Sequence, residues 1–304
     1  MLHDIEETIR SVADSAGPSI VSIGRNGRGT GFVIAADRVL TSAHNLRDQT
    51  VAVTFADGRA EQGSAHGVDT DGDVVVLAVP TGDVPPLQFA TELPSVGTAI
   101  VSLSRGGHRA RATLGFVSSV DQSFRGPRGR IVRGSIEHTA VLARGSSGGP
   151  VFNRAGEVVG VNTHRAGEGF YLARAADDVL RTRIAELLEG RSPVRRTLGI
   201  AVAPPKVAAQ LRQAVGLPER DGLLVRGVDA NGPAGRGGVQ SGDLLVNIGE
   251  RNLVTVDDLQ EALEQLDADT VTLGIVRGAE ELTVTISFVE PTDAGTGETE
   301  HAAS

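Results

Sequence analysis

Cysteine and tryptophan are absent from this chain, and methionine and tyrosine occur once each. Without cysteine there is no disulfide, no thiol nucleophile and no Cys-ligated metal site. Lysine is almost absent too: Lys206 is the single lysine among 29 basic residues, and the arginines form no continuous block. With a formal net charge of −9, bulk attraction to nucleic acid or to an anionic membrane is excluded as a working principle. No apolar stretch reaches the roughly 18 residues of a transmembrane helix. Met1–Arg10 lacks the basic start and apolar stretch of a signal peptide, so a cytoplasmic location is expected.

What the chain does have is glycine, 39 residues of it, with 40% hydrophobic and 22% charged residues. The length of 304 residues, at about 150 per domain, favours two domains. Short apolar runs separated by Gly, Asp or Asn read as strands, among them Ile20–Ile23, Gly31–Ala35, Val51–Phe55, Val74–Val79, Ala99–Leu103, Ala112–Val120, Val151–Phe152 and Val158–Asn162. Residues 4–13 read as a short helix. Val179, Leu180, Ile184, Leu187 and Leu188 recur at helical spacing and predict a helix over 177–190, with Gly190 as its terminator. Ser192-Pro193 marks a linker, 191–196. A second strand-rich unit follows, with one helix at Val256–Leu266 and capping-box spacing between Thr255 and Asp258. The polar tail, 291–304, is expected to be disordered.

Three segments suggest chemistry. Gly145-Ser146-Ser147-Gly148-Gly149-Pro150, by itself a tight turn, lies between the apolar Thr139–Ala143 and a strand. A nucleophilic serine needs such a turn, with glycines on both sides and backbone N–H groups converging on an oxyanion. His44 ends an apolar strand at a Ser-Ala turn, where a general base would face a cleft. Asp73 abuts the apolar run Val74–Val79, and a carboxylate drawn against a core needs a partner such as a histidine N–H. Asp-rich loops are more often solvated turns or calcium loops, and Asp71 and Asp73 alone do not make a metal site.

The order His44, Asp73, Ser147 is that of chymotrypsin-like proteases. The blocks Gly29–Ile34, Thr41–His44, Asp73–Leu77, Gly145–Pro150 and Val159–Thr163 resemble the HtrA (DegP-like) proteases. Leu198-Gly199-Ile200 is similar to the carboxylate-binding loop of a bacterial PDZ domain, and Gly222–Glu250 to its core. The resemblance implies a mainly β chain: a chymotrypsin-like double β-barrel over 1–190, a linker, and a small PDZ domain over 197–290. It implies a serine endopeptidase without metal or cofactor. His44, Asp73 and Ser147 would be catalytic, and Gly145, Ser146 and Ser147 would supply the oxyanion hole. Val161, Asn162 and Thr163 would pair with an extended substrate. Val141 and Leu142, with Phe170, would line a shallow apolar specificity pocket that rejects Arg and Lys. Leu198, Gly199, Ile200, Val256, Leu259 and Leu263 would hold a peptide in the PDZ groove. Partners would be unfolded or extended proteins, a PDZ peptide ligand and, by resemblance, further copies in a trimer.

Departures from the family pattern are Arg144-Gly145-Ser146 in place of Pro-Gly-Asn, an N-terminal segment without the aromatics of family trimers, and a very short Ile23–Gly29 loop. Two other readings stay open: a catalytically idle peptide-binding scaffold, and a regulatory protease with one specific partner.

Overall fold

The computed structural model describes residues 2–106, 109–126, 130–193, 196–203, 205–218, 220–266 and 268–289. The chain divides after Pro193 into two compact units. The tail expected to be disordered lies outside the described residues.

The first unit opens with helix α1 (Leu2–Ala16), longer than the predicted 4–13. Strands β1 (Ile20–Ile23), β2 (Gly29–Ala35), β3 (Arg38–Thr41), β4 (Thr50–Thr54), β5 (Ala60–Asp69) and β6 (Val74–Ala78) close a barrel in the order β1-β2-β3-β6-β5-β4. Strands β7 (Ala99–Gly106), β8 (Arg109–Arg125), β9 (Ile131–His138), β10 (Pro150–Phe152), β11 (Val158–Gly167) and β12 (Phe170–Ala175) close a second, in the order β10-β11-β12-β9-β8-β7. Helix α2 (Asp178–Leu188) ends the unit.

Strand alternation divides the apolar residues between separate cores. In β6, Val75 and Leu77 point into the first barrel with Val33, Val39 and Phe55. Val74 and Val76 point the other way, into a shared core with Phe32, Leu40, Val101, Leu103 and Phe152. Both faces of β6 are therefore dry, which is why its sequence reads as an unbroken apolar run. β5 escapes sequence reading because its buried positions are Gly63, Gly67 and Asp69, while its apolar residues Ala60, Ala65 and Val68 are exposed or half-buried.

Helix α2 begins at an Asp177 cap whose carboxylate accepts from Leu180 N at 2.7 Å. It ends as Gly190 (φ 77°) donates to Leu187 O at 3.0 Å and Arg191 N to Glu186 O at 3.0 Å, a glycine-dependent stop. Leu180, Ile184 and Leu187 are buried as predicted, but Val179 is 71% exposed, one position off the apolar stripe.

In the second unit, β13 (Ile200–Val202), β14 (Leu223–Val228), β15 (Leu244–Ile248), β17 (Thr270–Arg277) and β18 (Glu280–Ser287) form a sheet in that order, and β16 (Arg251–Asn252) pairs with β15. Helices α3 (Pro205–Ala214), α4 (Pro233–Arg236) and α5 (Val256–Glu264) complete it. The Thr255–Asp258 capping box is present, and α5 stops at Glu264, two residues short of the sequence expectation.

Candidate active site

His44 sits in a single helical turn, Ala43–Asn45, directly after β3. Asp73 ends the turn before β6, in the left-handed region at φ 56°, which aspartate tolerates better than most side chains. The turn is pinned on both sides: Asp69 accepts from Gly72 N at 2.8 Å, and the buried Arg174 of β12 donates to Gly72 O at 2.9 Å. The two loops are then tied together, as Ala43 N donates to Asp73 O at 3.2 Å and His44 N to Asp73 Oδ1 at 3.0 Å.

Asp73 is 1% exposed, and its carboxylate survives burial because donors surround it. His44 Nδ1 lies 2.8 Å from Oδ2 and 2.9 Å from Oδ1, and Thr163 Oγ1 donates to Oδ2 at 2.9 Å. An ionised carboxylate only accepts, so His44 carries its proton on Nδ1 and presents Nε2 as a base.

Ser147 lies on the turn before β10. Gly145 and Gly148 have φ of 85° and 83°. A Cβ at Gly145 would meet Gly27 O at 2.3 Å, and one at Gly148 would meet Thr30 O at 2.3 Å, so both positions need glycine. The first barrel grips this turn from the second: Thr30 N and Asn45 Nδ2 donate to Ser147 O at 2.9 and 3.0 Å, and Thr30 Oγ1 donates to Gly145 O at 2.7 Å. Among the described residues, the N–H groups of Gly145 and Ser147 find no acceptor. Ser146 does not join them as expected, because its N–H is committed to Ala143 O at 3.2 Å. The Ser147 hydroxyl donates to Thr163 O at 3.0 Å, and its single proton is therefore not directed at His44 in this arrangement.

Several sequence expectations are corrected here. Val161 and Asn162 do not offer an edge to substrate. Val161 pairs with Pro150 on one side and Arg174 on the other. Asn162 is fully buried, its main chain bonded to Gly148 N and Gly149 O and its amide to Ser102 Oγ (2.8 Å) and His138 Nε2 (3.0 Å). The open edge of β11 starts at Thr163. Val141 is 63% exposed and Phe170 42% exposed, with Leu142 half-buried. Side chains so open to solvent do not form the floor and wall of a pocket.

Sequence reasoning also missed two residues. Thr163 was read for its backbone, yet its hydroxyl holds Asp73. His164 was not singled out, yet its Nδ1 lies 2.6 Å from Thr163 Oγ1, its ring 5.8 Å from that of His44 and 4.6 Å from Phe124. Since the Thr163 proton goes to Asp73, His164 donates from Nδ1 to Thr163 Oγ1. Burial lowers the pKa of His164, Asp73 opposing and His44 reinforcing the shift. A histidine directly after a strand motif is the only signal the sequence held.

Burial also lowers the pKa of His138, whose Nδ1 has no partner, and the bond to Asn162 opposes the shift. Both rings are thus kept neutral in the folded chain at pH values where the unfolded chain binds protons. Their stabilising effect is complete above the unfolded value of about 6.5 and is lost as pH falls through the lower folded values. Thermal melts should shift downward as pH drops below about 6.5, and His138→Gln should shrink that shift. An equal acid shift in the variant would remove His138 as its source.

In the second unit, the loop residue Gly199 (φ 72°) accepts at its carbonyl from Asp229 N at 2.8 Å, while Leu198 O accepts from Ala234 N at 2.9 Å. Ile200 begins β13, which pairs only with β14 and leaves its other edge unpaired among the described strands. Leu198, Leu259 and Leu263 are buried in the unit's core, at 3%, 6% and 7% exposure, rather than open in a groove. Half-buried Val256 and Ile200 remain accessible at its margin.

Paired six-stranded barrels that bring a histidine, a buried aspartate and a glycine-flanked serine to their junction define the trypsin-like peptidase class. Residues 29–161 match the family model described as a trypsin-like peptidase domain, and residues 198–288 match a PDZ domain. A probable periplasmic serine endoprotease, DegP-like, of Halomonas elongata is 28% identical over 282 residues, which cover 90% of this chain and 58% of the relative. A putative serine protease HhoB of Synechocystis sp. is 32% identical over 251 residues, 78% of this chain and 60% of the relative. In fold, the solved HtrA-type protease AlgW with decapeptide aligns with a TM-score of 0.71 at 19% identity, covering 92% of this chain and 97% of that one. This chain belongs to the HtrA-like proteases, with a trypsin-like peptidase domain and one PDZ domain. It spans about three-fifths of the length of these curated relatives.

The expected cytoplasmic location is overturned by the relatives, since the Halomonas protein and others similar to this chain are named periplasmic. Among the described residues, no helix is long and apolar enough to cross a membrane.

Proposed function

We propose that this chain is a serine endopeptidase acting on extended polypeptide segments, with a PDZ unit that binds a substrate or regulatory peptide. The observation that carries this reading is the bonded His44–Asp73 pair beside Ser147, with two unsatisfied N–H groups on the same turn. In the proposed cycle, the Ser147 hydroxyl turns from Thr163 O toward His44 Nε2. Its oxygen bonds to the scissile carbonyl carbon as His44 takes the proton. The oxyanion accepts from Gly145 N–H and Ser147 N–H, each such donor being worth about 3 kcal/mol. The C–N bond then breaks, and His44 returns the proton to the leaving amine. Water, deprotonated by the same ring, hydrolyses the acyl-enzyme.

Substrate would add as a strand beside Thr163 and the residues after it, which requires an unfolded or flexible segment. Labelling by a fluorophosphonate separates an enzyme from an idle scaffold: Ser147 should be modified, and Ser147→Ala should not. Absence of label on the unsubstituted chain sinks the enzyme reading.

The two units have separate cores. A chain ending at residue 193 should therefore fold and retain cleavage of short peptides, with weaker processing of long unfolded chains. Loss of a cooperative thermal transition in that fragment would contradict the separation. In the full chain, a peptide with an apolar C-terminus should bind through the unpaired edge of β13 and lose affinity on amidation of its carboxylate.

A further inference from the structure

The short turn between β1 and β2 carries two arginines that the proposed chemistry does not use. Arg25 and Arg28 line a cavity of about 350 Å³, together with Arg47, Asp48, Asn45 and Gln62. All three arginines are exposed, and none forms an ion pair or hydrogen bond with any described residue. Counting Asp48, the lining holds three cations and one anion, a local excess of positive charge on a chain whose net charge is −9. Unpartnered positive charge in a concave wall attracts anions beyond what bulk charge allows.

The cavity has a fixed relation to the reacting groups. Asn45, which lines it, donates to Ser147 O at 3.0 Å and follows His44 directly. The turn that bears Arg25 and Arg28 touches the oxyanion segment, since a Cβ on Gly145 would meet Gly27 O at 2.3 Å. That turn is itself anchored by Gly24 N donating to Ala52 O at 2.8 Å. The Ser147 hydroxyl itself donates to Thr163 O of β11 at 3.0 Å, where the open edge of that strand starts. If the acyl half of a substrate runs along β11, the half that departs as an amine leaves past His44, toward residues 45–48 and the arginine turn.

We infer that this cavity is a subsite for acidic side chains on the leaving-group side of the scissile bond, so that the preferred substrates are polypeptides with Glu or Asp shortly after the cut. Arg28 and Arg47 bind the carboxylate, and Arg25 adds to the field. This deepens the proposed peptidase reading and rests on it. Exposed ion pairs are worth about 0.2–1 kcal/mol each, so two of them set a preference between about twofold and about thirtyfold, with a middle value of about fivefold to tenfold.

The test uses the full chain and C-terminally amidated peptides, which remove a free carboxylate from competition at the PDZ unit. One peptide series places Glu at each of the first three positions after the cut, and a matched series places Gln there. In one arm, kcat/KM is measured for each peptide. In the other, Kd is measured by fluorescence anisotropy on Ser147→Ala protein. At low salt, Glu should exceed Gln by about fivefold at one of the positions. The ratio should shrink in about 0.5 M salt. It should fall to about one in Arg28→Gln/Arg47→Gln, and persist in the charge-keeping Arg28→Lys/Arg47→Lys. Equal handling of Glu and Gln in both arms overturns the subsite, as does a preference that survives loss of both arginine charges. If no peptide is cut while Glu peptides still bind better, the subsite stands and the peptidase reading falls.

Discussion

Ser147→Ala protein should leave casein intact, with the rate reduced by about 10⁶-fold, the scale seen when a serine nucleophile is removed from a triad. The fold should be retained. The Ser147 side chain makes one hydrogen bond, to Thr163 O, whereas the structural bonds of this residue are made by its carbonyl, to Thr30 N and Asn45 Nδ2. Alanine keeps that carbonyl and a compatible backbone. The check is a casein digest beside a thermal melt: a melt matching the unsubstituted chain with no casein fragments is expected. Casein fragments released at an undiminished rate from purified Ser147→Ala would place the nucleophile elsewhere.

Asp73→Asn should cost about 10⁴-fold in kcat with little change in the melt. The left-handed backbone at this position, φ 56°, suits asparagine as well as aspartate. The asparagine oxygen can still accept from His44 N, as Asp73 Oδ1 does at 3.0 Å. Its NH₂ group then replaces the oxygen that now accepts from both His44 Nδ1 and Thr163 Oγ1. A donor facing Nδ1 forces the other tautomer, with the proton on Nε2, and that nitrogen no longer accepts from serine. The same exchange turns the Thr163 hydroxyl away from position 73 and alters its bond to His164. Steady-state kinetics on a short peptide check the size of the loss. A variant within tenfold of the unsubstituted chain would mean that Asp73 does not set the tautomer of His44.

The identity of the reactive residues was legible in the sequence because each carries a local cost that the sequence must answer. Ser147 stands among glycines because Gly145 and Gly148 have positive φ and lie against other backbone. Asp73 is set against an apolar run, and His44 ends a buried strand. Helices α2 and α5 were legible for similar reasons: a cap at Thr255, a glycine stop at Gly190, and periodic burial at Leu180, Ile184 and Leu187; α3 and α4, in the unit where a single helix was expected, went unread. The unread strands of the first unit, β5, β9 and β12, carry polar residues at positions whose neighbours the sequence does not reveal.

Direction, pairing and exposure were decided by barrel closure. Val141 follows an apolar pattern yet lies 63% exposed, because the segment after β9 runs outside the ladder. Asn162 looks available on its strand, but β10 and β12 flank that strand and His138 and Ser102 take its amide. Thr163 became a partner of Asp73 only when the second barrel brought β11 against the first, and the same closure turned the Ser147 hydroxyl to Thr163 O. Arg25, Arg28 and Arg47 are scattered in the sequence as ordinary surface charges. They share a cavity because the β1–β2 turn and the segment after His44 meet beside Ser147. Residue type and local backbone demand are written along the chain; which groups face each other depends on contacts between segments far apart in it, and those form only when the barrels close.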